Sequence, residues 1–427
     1  MKNKTITFFE HERKTFGELK HCGMSKKDIL KLIKLNRKLK IFKDGHKTIK
    51  AKQFVGALKI NNTTIQILPK IYKNERNEEQ KQKEALTNLL YMLSYTKKLK
   101  IKENFANLSK NNDLFEIYIY LFAKNLLKEI ENGIYKNYNK KEENLTYLKG
   151  KLHTTKQIKH NYINKHKLYC KYAEFSENNL INKIFKYAVE LLKNITNNPK
   201  NKKLLSDLSF VLSDIDYKTI TINDFKKVKF NRMNERFKPY IEMAKMFILN
   251  ESTNLNSKDL KTFSLIFNMD YLFEEFVGTI LKKHYDEIFN NECVIHLQHS
   301  ELYLLTDENN NNTFRLKPDI VVYSSNNTNK PFLIIDTKYK NLIDDKTKNY
   351  NINQSDAYQM FAYLKKYDCK KGVLLYPKYE KEFNKEYAFN EEEHLFIRTI
   401  NLKHNGQNQK EYVENVNIDL KKIFTGL

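Results

Sequence analysis

The chain has 427 residues, with 76 Lys or Arg against 51 Asp or Glu, for a formal net charge of +25. That length exceeds a single small core and implies two or three domains. The charge favours a polyanionic partner, nucleic acid before an anionic membrane, because basic side chains release counterions from phosphates.

The hydrophobic share of 41% is ample for folded cores despite a mean hydropathy of -0.68. Lys and Asn are abundant, a bias that an AT-rich genome also produces, so Asn-rich loops carry little weight. Cys22, Cys170, Cys293 and Cys369 form no C-x-x-C pair. Neither a zinc ribbon nor a disulfide framework is indicated, and a reducing compartment fits. The start, MKNKTITFFEHERKTF, lacks an apolar h-region. No run approaches the roughly 20 apolar residues of a membrane span. The expectation is a soluble, cytoplasmic protein with no membrane partner.

Residues 1–75 read as mostly β. Two β-rich runs in QFVGALKINNTTIQILPKIY meet at Asn61-Asn62, a tight-turn signal, and Pro69 limits the second to an edge or an end. KNERNEEQKQKE (73–84) reads as a linker or a solvated helix start. Residues 76–261 read as a central helical region. Leu86, Leu89, Leu90 and Leu93 fall at helical spacing. Asp113 and Glu116 resemble a capping box, Gly133 can end that helix, and another helix is predicted to begin near Ser176. The Asn309–Asn312 run reads as a loop tip.

The pattern changes at 262. MDYLFEEFVGTILKKHYDEIF is a long helical segment, and CVIHLQHSELYLL, LKPDIVVY and PFLIIDTKYK follow as strands. QSDAYQMFAYLKKY is a helix and GVLLYP a strand. Residues 262–427 thus predict an α-β-β-β-α-β core around one mixed sheet, and the whole chain a mixed α/β protein.

The candidate chemistry lies in LKPDIVVYSSNNTNKPFLIIDTKYK (316–340). Side chains alternate along a strand, so Asp336 and Lys338 share a face and Thr337 points away. PFLII is apolar without alternation, which predicts a strand buried on both faces. An acid at its end is costly unless paired or metal-bound. Asp319 can meet Asp336 across the strands, and a divalent cation relieves the repulsion. Lys338 can then orient a water or neutralise developing charge. The bland alternative is a hairpin with solvated, charged ends, since D-x-K is common by chance.

Two helices flank this stretch. In the first, Leu272, Phe273, Phe276, Val277 and Ile280 form the apolar face. Glu274 lies at its flank, a better candidate than Glu275, which sits nearer the far side. In the second, Gln359 and Tyr363 lie one turn apart with Asp356 on the same side. Other chemistries find no signal. There is no G-x-x-x-x-G-K-[ST] phosphate loop, so no nucleotide is expected on this chain itself. His296 and His299 are expected on opposite faces of a strand, as structural residues.

The ordered motifs resemble the McrC family, the nuclease subunit of McrBC-type modification-dependent restriction systems, within the PD-(D/E)xK nuclease superfamily. IQILPKI (65–71) resembles its N-terminal β-region. GIYKNY with NLTYLKGKL (133–152), EFSENNLINKIFK (174–186) and NRMNERFKPYIEMAK (231–245) resemble its central blocks. YLFEEFV, LKPDIVVY, IIDTKYK and DAYQMFAYLKKY resemble its nuclease blocks. Thr337 stands where the family often has a small residue.

The resemblance implies an N-terminal β-rich partner-contacting domain (1–75), the central helical region (76–261) and a PD-(D/E)xK endonuclease domain (262–427). It implies Asp319, Asp336, Lys338, Glu274 and Gln359 as catalytic residues. Asp319, Asp336 and Glu274 would hold Mg²⁺, or Mn²⁺ in its place. It implies cutting of double-stranded DNA together with an McrB-like AAA+ GTPase ring whose hydrolysis the chain stimulates. Two other readings stay open: a non-catalytic DNA-binding adaptor of a partner NTPase, and a free-standing exonuclease suggested by the Q-x-x-x-Y arrangement.

Overall fold

A computed structural model describes residues 4–61, 63–72, 77–96, 113–252, 262–289, 293–403 and 408–426. The chain forms two compact units. One combines Met1–Leu114 with Ile266–Leu427, and the other is Phe115–Leu265. This differs from three consecutive domains. The helix Glu78–Tyr95, expected in the central region, belongs to the first unit. The reason is a buried polar clasp. The Asn88 amide donates to the carbonyl of Leu402 and to the Tyr412 hydroxyl, and the Tyr91 ring stacks on Tyr412 with centroids 5.1 Å apart.

In the N-terminal part of the first unit, Lys4–Phe9 runs parallel to Thr63–Leu68, which is antiparallel to Phe54–Ile60. Asn61, with φ of 53°, begins the turn between the latter two. Asn62 and residues 73–76 of the expected linker lie outside the described residues. Pro69 follows directly on the strand end at Leu68, as expected.

The β reading of this region misses two helices, Phe16–His21 and Lys26–Leu39. The second is Lys-rich, but Ile29, Leu32 and Leu35 recur every three residues and are buried. Ser25 caps it by accepting from the Asp28 amide. Its apolar side joins Ile6, Phe8, Leu58, Ile65 and Ile67 in one core.

The C-terminal part of the same unit is built on a six-stranded sheet. Its order is Cys293–Leu297, Ile320–Ser324, Asn327–Thr337, Lys371–Pro377, His394–Ile400 and Asn384–Ala388. The first two pairings and the last are antiparallel, and the two in the middle are parallel. The helix Met269–Lys283 precedes the sheet, Gln354–Tyr367 crosses between its central strands, and Gln409–Phe424 ends the chain.

The expected α-β-β-β-α-β core needs correction in three places. The long helix breaks at His284, with Tyr285–Phe289 as a separate helix. CVIHLQHSELYLL is not one strand. Gln298 has a left-handed φ of 50°, which ends the first strand at Leu297. Tyr303–Thr306 then pairs with Asn312–Arg315 as a hairpin outside the sheet. Two more strands and a helix follow GVLLYP.

The second unit is not purely helical either. Asn137–Leu145, Leu168–Ser176 and Lys151–Leu152 form a three-stranded sheet. Consequently the helix predicted near Ser176 starts at Leu180, capped by Asn179. Glu116, read with Asp113 as a capping box, lies buried in the first turn of the helix Leu114–Glu131. It accepts from the Thr196 hydroxyl at 2.5 Å and the Asn201 amide at 2.8 Å. Among the described residues no helix is long and apolar enough to cross a membrane.

Gly372 shows how closely the helix Gln354–Tyr367 seats on the sheet: a Cβ there would lie 2.6 Å from the Met360 sulfur. Overpacking of this kind costs about 1–3 kcal/mol. Gly372→Val is expected to lower the unfolding free energy by that amount, read as a lower urea midpoint at unchanged slope, with a smaller loss for Gly372→Ala. An unmoved midpoint would show that the helix gives way freely.

Candidate functional site

The antiparallel register pairs Ile320 with Ile335. Extending it by one residue brings Asp319 and Asp336 side by side at the end of the ladder. The strand carrying Asp336 is central and buried, as its apolar run predicts. Leu333, Ile334 and Ile335 are essentially inaccessible, and Asp336 is only 3% exposed. Asp319 is fixed from the neighbouring strand. Its Oδ2 accepts from the Thr337 backbone N–H at 2.7 Å and from the Thr337 hydroxyl at 2.8 Å. Strand alternation predicts that Thr337 points away from the face of Asp336 and Lys338. Its hydroxyl holds one of the two acids, which strand alternation does not reveal.

Lys338 lies among acids and an amide. Its ammonium is 2.5 Å from Asp336 Oδ2 and 3.9 Å from Asp356 Oδ1, and it donates to Gln359 Oε1 at 3.0 Å. The Gln359 amide in turn donates to the Tyr363 hydroxyl at 2.8 Å. The Q-x-x-x-Y pair therefore acts on the lysine. Asp356 also binds the Lys340 ammonium at 2.9 Å. Its place beside the site follows from the helix face that it shares with Gln359.

Glu274 stands at the edge of this group. Its Oε1 accepts from the Gln298 amide at 2.8 Å, and its charge is felt by Asp319. Among the described residues no three or more His, Cys, Asp or Glu side chains gather into a ready metal cage. The structure thus brings Asp319, Asp336, Lys338 and Gln359 together and leaves Glu274 one neighbour away. The two histidines are corrected too. The reversal at Gln298 sets the rings of His296 and His299 5.3 Å apart, with His299 Nδ1 2.9 Å from the Tyr367 hydroxyl. They are neighbours in a ring cluster with Tyr323 rather than on opposite faces.

The electrostatics are those of an overcrowded acid pair. Burial raises the Asp319 carboxyl above its ordinary range, and Glu274 adds to the rise. Burial also raises Asp336, followed by repulsion from Asp319, with Lys338 opposing both. For Lys338, burial favours the neutral amine, but Asp336, Asp356 and Asp319 outweigh it and hold the ammonium charged. Hard oxygen donors with surplus negative charge suit a divalent cation of the Mg²⁺ or Ca²⁺ type. Asp319 and Asp336 would hold it, with Glu274 as a further carboxylate on the Asp319 side.

The family described as McrBC 5-methylcytosine restriction system component matches residues 49–377, well over half of the chain. The chain belongs to this family. A curated relative, the type IV methyl-directed restriction enzyme EcoKMcrBC of Escherichia coli K12, is 22% identical over 327 residues, covering 74% of this chain and 92% of the relative. A solved half-complex from a tetradecameric assembly of Thermococcus gammatolerans McrB AAA+ hexamers with bound McrC matches with a TM-score of 0.72. The identity there is 23%, over 97% of this chain and 99% of that one. A cryo-EM structure of the McrBC complex of the same organism matches with a TM-score of 0.52 at 27% identity, over 66% and 88% of the two chains.

These relationships correct the expectation of the McrC family in particular. The family and the curated relative name the McrBC system as a whole, and the matched assembly is described by its McrB AAA+ hexamers as well as by bound McrC. Membership is therefore that of an McrBC component. The PD-(D/E)xK domain name, the endodeoxyribonuclease identity and the Mg²⁺ or Mn²⁺ tied to it are withdrawn with the McrC assignment. At 23% identity the structural match shows the fold alone. By itself it assigns neither of the system's activities to this McrBC component.

A carboxyl whose pKa rises on folding contributes stability below its unfolded pKa, and that stability is lost as pH climbs through the folded value. Both acids of this McrBC component shift upward. In chelator, the chain is expected to lose stability as pH rises from the unfolded carboxyl value of about 4 through the raised range. Asp319→Asn keeps an acceptor for Thr337 and removes one charge. It is expected to be more stable than the parent at pH 8 and equal to it at pH 4. Thermal unfolding at the two pH values checks this, and equal midpoints at pH 8 would contradict the crowding.

Proposed function

We propose that this chain works in an McrBC-type assembly as the bearer of a divalent-cation-dependent centre that hydrolyses a phosphate bond. The observation that supports it is the set formed by Asp319, Asp336 and Lys338 at the end of a buried central strand. Crowded buried acids with raised pKa beside a lysine are the arrangement that functional sites use to bind a cation. In this reading Asp319 and Asp336 hold the cation, with Glu274 as a third carboxylate. A bound divalent cation would polarise the phosphate and make a bound water more acidic.

The chain's own residues supply the rest. The Lys338 ammonium opposes charge developing on a phosphate oxygen. Gln359 accepts from Lys338 and, through its amide, is tied to Tyr363, which limits where the ammonium can go. Thr337 keeps Asp319 turned toward its partner acid. The net charge of +25 suits a polyanionic substrate such as DNA, on which a methyl-directed restriction system acts. The partner in this reading is a second component of the same assembly, and the compartment is the cytoplasm.

The test uses the chain with the other component of its system, with Mg²⁺, methylated duplex DNA and GTP. Asp336→Asn and Lys338→Ala are each expected to lower turnover of one substrate by about a hundredfold or more, the scale of losing a transition-state charge contact. Chelation should abolish it. The substrate that responds identifies which chemistry of the system the centre performs. Turnover of both substrates untouched by Asp336→Asn would remove the proposal.

A further inference from the structure

Past Thr337 the central strand leaves the ladder, so Lys338 rides on an irregular segment. Its own amide reaches the Leu375 carbonyl at 2.9 Å, and the Lys340 amide turns back to the Lys338 carbonyl at 2.8 Å. Few ladder bonds hold this stretch. Its side chains alternate: Lys338 and Lys340 enter the acid group, and Tyr339 turns the other way.

Tyr339 is fully buried, and its hydroxyl donates to Glu10 Oε2 at 3.0 Å. Glu10 is buried too and continues the first strand of the N-terminal sheet. Its amide donates to the Leu68 carbonyl at 3.0 Å, and its Oε2 also accepts from the Lys70 amide at 3.1 Å. The Lys70 ammonium lies 5.2 Å from the Tyr339 ring centre, and Phe273 packs against the same ring.

A second tie comes from Gln53, just ahead of the strand Phe54–Ile60. Its amide uses both hydrogens, donating to the Tyr339 carbonyl at 2.8 Å and to Asp270 Oδ1 at 2.6 Å. Its backbone carbonyl accepts from the Met269 backbone N–H at 3.1 Å. Met269 and Asp270 open the helix that carries Glu274. One N-terminal residue therefore touches both the segment bearing Lys338 and the helix bearing Glu274.

We propose that Glu10, Gln53 and Tyr339 are positioning residues through which the N-terminal sheet sets Lys338 and Glu274 relative to Asp319 and Asp336. This rests on the reading of those acids as a cation-dependent centre. The tie spans hundreds of residues in sequence, and two of its three members, Glu10 and Tyr339, are buried away from solvent.

The experiment combines amide hydrogen exchange with Mn²⁺ titration on the full chain. Tyr339→Phe keeps the ring and loses the hydroxyl; Gln53→Ala loses the other tie and serves if the first variant fails to fold. Both are expected to speed exchange across 337–341 while Lys371–Pro377 stays protected. They are also expected to weaken Mn²⁺ binding by about tenfold, the usual cost of losing support behind ligands. Glu10→Gln retains an acceptor for Tyr339 and is expected to stay near the parent in both. Faster exchange with unchanged Mn²⁺ affinity would overturn the positioning role, as would no change in either. A parent chain that binds Mn²⁺ no better than Asp336→Asn would instead overturn the cation centre beneath it.

Discussion

Two carboxylates forced together at the end of a buried ladder govern the local structure around them. The register between Ile320–Ser324 and Asn327–Thr337 sets them there, and a shift by one residue would turn either acid to the opposite face. Everything nearby answers that constraint. Thr337 satisfies one carboxylate, Lys338 neutralises the other, and Asp356 and Gln359 secure the lysine. Charge that would be unstable alone is tolerated because each member restrains the next.

The site draws on distant parts of one unit. The sheet supplies the acids, a crossing helix supplies Gln359 and Tyr363, and the N-terminal strands supply the buried anchors of Tyr339. Membership in the McrBC component family fits such a plan, since the matched region, residues 49–377, takes in nearly all of these elements. Glu10 alone among the named groups lies ahead of it.

Much of this was legible in the sequence where one physical rule acted alone. The unbroken apolar run before Asp336 correctly announced a strand buried on both faces. Helical spacing correctly placed Gln359 and Tyr363 one turn apart. Failure came where a local signal had a rival. Lysines in 26–39 hid an amphipathic helix within a β-rich region. Gln298 carries no turn signature, yet its left-handed backbone split a predicted strand and brought two histidines together. Thr337 obeyed alternation but still reached Asp319, because its backbone amide and hydroxyl act on the same oxygen. The side-chain ties between the N-terminal sheet and the segment after the central strand were invisible, since nothing in Glu10 or Gln53 announces a partner near residue 339.

The order of the units along the chain also bears on synthesis. Three of the four strands of the N-terminal sheet leave the ribosome well before the segment that carries Tyr339, and the fourth, Thr262–Asn268, comes only at the end of Phe115–Leu265. At translation speeds of about 5–20 residues per second, that wait is on the order of ten seconds or more. During it, Glu10 and the edge of the sheet face solvent or a chaperone. The early sheet is therefore a nascent template, and the site is assembled only when the last third of the chain folds back on the first.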